Sequence, residues 1–240
     1  MAGAKTMVIG KLYGVGVGPG DPELMTVKAW RLISTADVIA YLCANGKDST
    51  ARDIAKPFIA EGTIEIAIDM PMRIEHELGQ AAYDKGAVEI SAHLDQGQDV
   101  VMLCEGDPFF YGSFMYIFER LNEKYKTIVV PGVTSINAAS AAIGQPLVGR
   151  NDTLKVIPAT LPEDRLHFEL ATGQAIAVIK VGRHFGKLKL ILAELDLLSK
   201  STAIENATHG NEKITAVENI EGDTLPYFTT IIVSNGITKQ

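Results

Sequence analysis

Leu12-Tyr13-Gly14-Val15-Gly16-Val17-Gly18-Pro19-Gly20-Asp21-Pro22 decides the fold class of this chain. The apolar run 12–17 reads as a short buried strand that passes directly into a glycine-proline loop. Asp21 is a natural N-cap and Pro22 suits the first helical position, which predicts a helix opening there. Beyond it Met25, Ala29, Leu32, Ile33 and Ala36 fall on one helical face. Strand, glycine loop and helix form the opening unit of an open α/β sheet, whose ligands bind at the carboxyl ends of the strands. Glycines at such an edge let backbone approach a ligand closely. The loop is not a dinucleotide fingerprint. Counted from Gly14, G-x-G-x-x-G requires glycine where Pro19 stands, and counted from Gly16 it requires glycine where Asp21 stands. Nor is it a Walker loop, because no Lys-Ser/Thr pair follows the last glycine. A tight turn with no ligand is the plainer reading of the same residues.

Beyond this opening unit, strand and helix patterns alternate. Strands are predicted over 38–42, 64–68, 100–104 and 127–130, and helices over 49–59, 75–96 and 114–124. Ile64, Ile66 and Ile68 alternate with polar or small residues at period two, and Tyr83, Ala87, Ile90 and Leu94 align on one face of the long helix. Such alternation encodes a parallel sheet covered by helices. A small-residue helix over 135–143 leads to a break at Gly144, Pro146 and Gly149. Beyond the break, strands are predicted over 154–157, 175–181, 202–204, 214–220 and 229–234. Only two helices, over 163–171 and 185–198, lie between them. The expectation is two α/β domains, 1–146 with a mainly parallel sheet and 147–240 with a mixed one.

Bulk properties bound the function. With 240 residues, 47% of them hydrophobic, the chain can bury a core without disulfides or a structural metal. Its net charge of −7 disfavours tracking a nucleic-acid backbone. An anionic small molecule held by a few local cations is compatible with it. No run approaches the roughly 18–20 apolar residues that span a bilayer, and residues 1–11 lack the apolar core of a secretion signal. Cys43 and Cys104, far apart and outside any C-x-x-C pattern, suggest reduced thiols. The expectation is a soluble cytoplasmic protein with no membrane or nucleic-acid partner.

Two further loops follow buried strands. Glu105-Gly106-Asp107-Pro108-Phe109-Phe110-Tyr111-Gly112-Ser113 repeats the Asp-Pro pair of the first loop, and its plainer reading is that Asp107 caps a helix beginning at Pro108. Val130-Pro131-Gly132-Val133-Thr134-Ser135 is a strand end, a turn and the start of a small-residue helix. There a flat ligand such as adenine fits close, and so does tight helix packing. The histidines, His76, His93, His167, His184 and His209, show no ligand spacing, so no metal site is expected. Cys104 reads as a core residue.

In order and spacing these loops resemble the tetrapyrrole (corrin/porphyrin) methylases, which carry G-x-G-P-G-D, G-D-P-x-x-Y/F-G and V-P-G-x-[ST]-[SA] motifs. The resemblance runs from Gly10 to about Gly236. It is strongest to members that methylate precorrin-2 at C20, through EGDPFFYGSFMYIFERL over 105–121 and through 131–166, which includes Pro-Ala-Thr-Leu-Pro at 158–162. Members acting on uroporphyrinogen are expected to show Gly-Gly-Asp-Pro followed by Gly-Arg, whereas this chain has Glu105 and Gly112-Ser113. The resemblance implies a homodimer of two-domain chains with S-adenosylmethionine (SAM) in the cleft between the domains. Carried over by motif, the donor contacts are Pro19, Glu105, Gly106, Asp107, Phe110, Thr134, Ser135, Val181 and Ala207. Ala207 stands where some relatives have glycine.

SAM brings its own leaving group, so the implied chemistry needs a positioned donor and no metal. Loss of the C20 proton needs an acceptor, for which Glu105, Asp107 and Tyr111 are candidates. The carboxylates of precorrin-2 or a related tetrapyrrole need cations, for which Arg150, Lys180, Arg183 and His184 are candidates. Each is equally an ordinary surface charge. Metal-free and cobalt-bound substrates present the same carbon, so both stay open. So does another substrate of the same family. Outside the family, the rivals are an oxidoreductase, which the failed G-x-G-x-x-G spacing disfavours, and a binding module without turnover.

Overall fold

The computed structural model describes residues 8–44, 46, 49–71 and 76–234, the side chains of 76–78 excepted. The chain divides into two compact units, Met1–Thr134 and Ser135–Gln240.

In the first unit, β1 (Leu12–Gly16), β2 (Val38–Ala44), β3 (Ile64–Met70), β4 (Val100–Cys104) and β5 (Thr127–Val130) form a sheet in the order β3-β2-β4-β1-β5. Every pairing is parallel. Strand alternation sends Val38, Ala40, Val100, Met102 and Cys104 to one face, where α3 (His76–Leu94) and α4 (Phe114–Leu121) cover them. Val15, Ile39, Val101 and Leu103 go to the other, under α1 (Val27–Ser34) and α2 (Thr50–Ala55). Burying each of the larger aliphatic and methionine side chains among them contributes about 1.5–3 kcal/mol. Glu75, at the start of the expected long helix, lies outside the described residues; the aligned Tyr83, Ala87, Ile90 and Leu94 all face the core.

Gly14 answers to packing rather than to the loop. A Cβ there would lie 2.3 Å from the fully buried Phe114 ring of α4, so the strand must be bare for that ring to lie against it.

Neither Asp-Pro pair opens an α-helix directly: α1 starts later than predicted, while α4 starts at Phe114, where the sequence places it. Asp21 accepts from the Glu23 amide at 2.8 Å but caps only a 3-10 turn, Pro22–Leu24. Met25 is extended, and α1 opens later under the Thr26 hydroxyl, which accepts from the Ala29 amide at 3.2 Å. Met25, Ala29 and Ile33 nonetheless bury together, so the helical spacing survives the break. No helix begins at Pro108 either. Tyr111 adopts a left-handed φ of 56° that interrupts the chain before α4.

In the second unit, β6 (Leu154–Pro158), β7 (Ala175–Ile179), β8 (Ser201–Glu205), β9 (Lys213–Ala216) and β10 (Thr229–Ser234) form a sheet in the order β6-β7-β10-β8-β9. β6 and β7 are parallel and the other pairings antiparallel, the mixed sheet the sequence predicts. α6 (Glu163–Ala171) and α7 (Phe185–Glu194) cover one face. The small-residue helix α5 (Ser135–Ala142) covers the other, with Ile136, Ala138 and Ala139 against Ala177, Ile179, Ile204 and Ile232. That packing moves the division from the expected 146/147 to 134/135. The Gly/Pro break marks only a loop within the second unit.

β7 stops at Ile179 because Lys180 turns to a φ of 55°. β9 stops at Ala216, where a 3-10 turn, Val217–Asn219, takes over.

Candidate active site

Because β1 lies between β4 and β5, the segments leaving the carboxyl ends of these three parallel strands are neighbours. Backbone hydrogen bonds join the first two. The Val17 amide donates to the Cys104 carbonyl at 2.9 Å, and the Gly106 amide donates to the Gly18 carbonyl at 2.8 Å. At the junction stand three glycines, one per loop. A Cβ on Gly16 would lie 2.5 Å from the Gly106 carbonyl oxygen and 2.7 Å from the Gly132 Cα. A Cβ on Gly132 would lie 2.0 Å from that same oxygen. Backbone touches backbone here, which no other residue type permits.

Asp107 completes the junction. Its Oδ1 accepts from the Phe109 and Phe110 amides at 2.9 and 3.0 Å, and its Oδ2 accepts from the Gly132 amide at 3.0 Å. The carboxylate therefore closes its own turn and pins the third loop to it. Phe110 and Tyr111 beyond it are exposed and meet edge to face at 5.3 Å. Pro19 is half-buried in the first loop, and Thr134 is half-buried at the end of the third. Ser135, exposed, opens α5 in the second unit.

Glu105 differs from Asp107 in its partners. Its Oε1 accepts from the Ala51 amide, in the first turn of α2, at 3.2 Å. Burial pushes its carboxyl above the ordinary range, with its own amide and that of Ala51 acting the other way. The preceding Cys104 is buried in the core, and burial, helped by the neighbouring Glu105, holds its thiol well above the usual range. A thiol so placed is a poor nucleophile.

The second unit carries the remaining predicted residues. β7 and β8 each pair antiparallel with β10, so their carboxyl ends lie at one edge of the sheet. Val181 follows β7 and is fully buried; Ala207 follows β8 and is buried too. Their side chains belong to the core clusters of this unit. Ala207 sits between two left-handed residues, Asn206 at φ 49° and Thr208 at φ 69°. A β-branched residue in that region is strained, and the Thr208 amide is held on Glu212 Oε2 at 2.7 Å.

Lys180, Arg183 and Arg150 are exposed, and His184 is half-buried. Arg183 Nε donates to His184 Nε2 at 3.4 Å. Burial first, then Arg183 and Lys187, push the His184 imidazole below its ordinary range. Arg150 lies on the loop before β6, inside the second unit rather than at a junction. The structure thus gathers Pro19, Glu105, Gly106, Asp107 and Thr134 at one sheet edge of the first unit, and Lys180–His184 with Ala207 at one edge of the second. Sequence reasoning missed two participants. Gly132 was legible only as a turn residue, and the Ala51 amide leaves no local signal at all.

Over residues 11–221 the chain matches the model of the tetrapyrrole (corrin/porphyrin) methylases, and it belongs to that family. Among curated relatives, it is 39% identical to the cobalamin biosynthesis protein CobIJ of Mycobacterium tuberculosis (strain ATCC 25618 / H37Rv), a match over 95% of this chain and 46% of that one. The chain therefore spans about half the length of the first relatives it matches. It is 35% identical to a precorrin-2 C(20)-methyltransferase of Sinorhizobium sp, over 94% of this chain and 95% of the relative. Among solved structures, a cobalt precorrin-4 methyltransferase superposes with a TM-score of 0.72 at 25% identity, covering 93% of this chain and 94% of that one.

Proposed function

We propose that the chain transfers a methyl group from SAM to C20 of precorrin-2, as a homodimer in the cytoplasm. The observation that carries this reading is the end-to-end similarity to the Sinorhizobium relative, which includes the region of Glu105. The glycine junction supports the donor half of it. A Cβ on Gly106 would make only ordinary contact, with the Val133 carbonyl oxygen at 3.7 Å, unlike the closed positions of Gly16 and Gly132. That suits a bound molecule lying against bare backbone. Pro19, Glu105, Gly106, Asp107, Phe110, Thr134 and Ser135 are assigned to the donor, with Val181 and Ala207 contributing backbone groups.

SAM supplies a methyl on a sulfonium leaving group. The chain's own task is to hold the donor so that C20 stands about 3–3.5 Å from that methyl and in line with the departing sulfur. As the C20–methyl bond forms, the methyl–sulfur pair passes to sulfur. The C20–H bond then breaks, its electron pair returns to the ring, and its proton leaves. Asp107 is committed to three amides and serves as a positioning residue. Glu105, kept a weak acid by burial, is the better proton acceptor of the two. Tyr111, turned outward at φ 56°, is the remaining candidate. Arg150, Lys180, Arg183 and His184 are assigned to the substrate's carboxylates.

Incubation with SAM and precorrin-2 tests the reading through the mass of the product. The expected product has gained one methyl in place of one hydrogen. Unchanged precorrin-2 alongside intact SAM overturns it.

A further inference from the structure

Two carboxyl groups flank the glycine junction, and their surroundings are opposite in kind. Asp107 has three amide donors and is electrostatically satisfied. Glu105 has the Ala51 amide and its own, and no cation among the described residues pairs with it. Arg52, next to Ala51 on α2, is turned away and held in a two-bonded pair by Glu65, with both contacts at 3.0 Å. The adjoining Cys104 thiol, held up by burial and then by Glu105, offers no positive charge either. A largely desolvated carboxyl with no counter-charge among the described residues is costly to ionise. It gains most when a cation arrives.

We propose that Glu105 is the counter-ion of the donor's sulfonium, and so the residue that distinguishes charged SAM from its uncharged thioether product, S-adenosylhomocysteine. This rests on the donor placement given above. Both molecules carry the same amino and carboxyl groups, so they differ here by the sulfonium charge and its methyl. Binding the charged form draws the proton off Glu105. Once sulfur is neutral, the carboxylate has lost its partner and takes up a proton again. The donor's charge thus prepares Glu105 to accept a proton, and its loss weakens the hold on the product.

Calorimetric titration in buffers of differing ionisation enthalpy reads the proton directly. At mildly acidic pH, SAM binding to the wild-type chain is expected to release protons and S-adenosylhomocysteine binding to release fewer. SAM affinity is expected to rise with pH across the titration of Glu105, because only the ionised group attracts the cation. The product's affinity stays flatter. Sinefungin, which bears an ammonium in place of the sulfonium, is expected to follow SAM. Glu105→Gln keeps an oxygen for the Ala51 amide and is expected to lower the ratio of SAM to product affinity roughly tenfold. Equal proton release for SAM and product in the wild-type chain overturns the proposal, as does an unchanged affinity ratio in Glu105→Gln. Failure of the wild-type chain to bind either molecule overturns the donor placement instead.

Discussion

Gly106→Val is expected to weaken SAM binding at least about a hundredfold, which corresponds to roughly 2.7 kcal/mol, while the chain still folds. Gly106 holds a φ of 61°, a conformation that a β-branched residue adopts only at a cost on the order of 1–3 kcal/mol. The added side chain has room, since the nearest atoms to its Cβ are the Val133 carbonyl oxygen at 3.7 Å and the Thr134 Cα at 3.9 Å. It occupies the side of Gly106 on which the donor is proposed to lie. Gly132→Ala is the instructive contrast. Its Cβ would press on the Gly106 carbonyl at 2.0 Å and spread the loops themselves, so binding and stability fall together. Calorimetric titration with SAM and a thermal melt separate the two. Full SAM affinity in a folded Gly106→Val chain would remove the donor from this loop.

Arg183→Glu is expected to raise the KM for the macrocycle about tenfold and to leave SAM affinity nearly unchanged. The substitution reverses a charge at an exposed position of the 3-10 turn Gly182–His184. At about 4 Å in water a unit pair is worth ~1 kcal/mol, and reversal counts it twice, about 2 kcal/mol or roughly thirtyfold, which screening by salt brings down toward tenfold. The loss of Arg183's bond to His184 adds to it. Arg150→Glu is expected to act in the same direction. Added salt screens exposed charges, so the difference between wild type and variant shrinks as ionic strength rises. A variant that loses SAM affinity with an unchanged KM for the macrocycle would take Arg183 out of the substrate role.

How much of this was legible in the sequence depends on the range of the forces involved. β4, β5, β10 and α6 fall on the predicted residues, because each is an apolar or amphipathic run bounded by turn residues. The parallel character of the first sheet followed from alternation alone. The helix start after Asp21 did not, because an Asp-Pro pair specifies a capped turn and only the following residues decide whether a helix continues; α4, by contrast, opens at the predicted Phe114. Thr26 moved the start of α1 downstream. The division of the chain misled for a related reason. Gly144, Pro146 and Gly149 are strong local punctuation, but α5 belongs to whichever sheet covers its apolar face, and that is a tertiary decision. At the site, the glycine loops were visible as composition. Their interlock through Gly16, Gly106 and Gly132, and the grip of Ala51 on Glu105, join residues far apart in sequence and have no local trace.

Which carbon receives the methyl does not follow from the proposed donor loops, which bear only on where the methyl departs. Incubation with precorrin-2 and SAM carrying a carbon-13 methyl, followed by NMR of the product, tests it most directly. The expected result is one labelled methyl on the meso carbon between the first and last pyrrole-derived rings, with the C20 proton gone. Turnover of the cobalt complex alone would keep the carbon and change the substrate. A label on a pyrrole-derived ring carbon, or transfer only to uroporphyrinogen III, would contradict the C20 assignment.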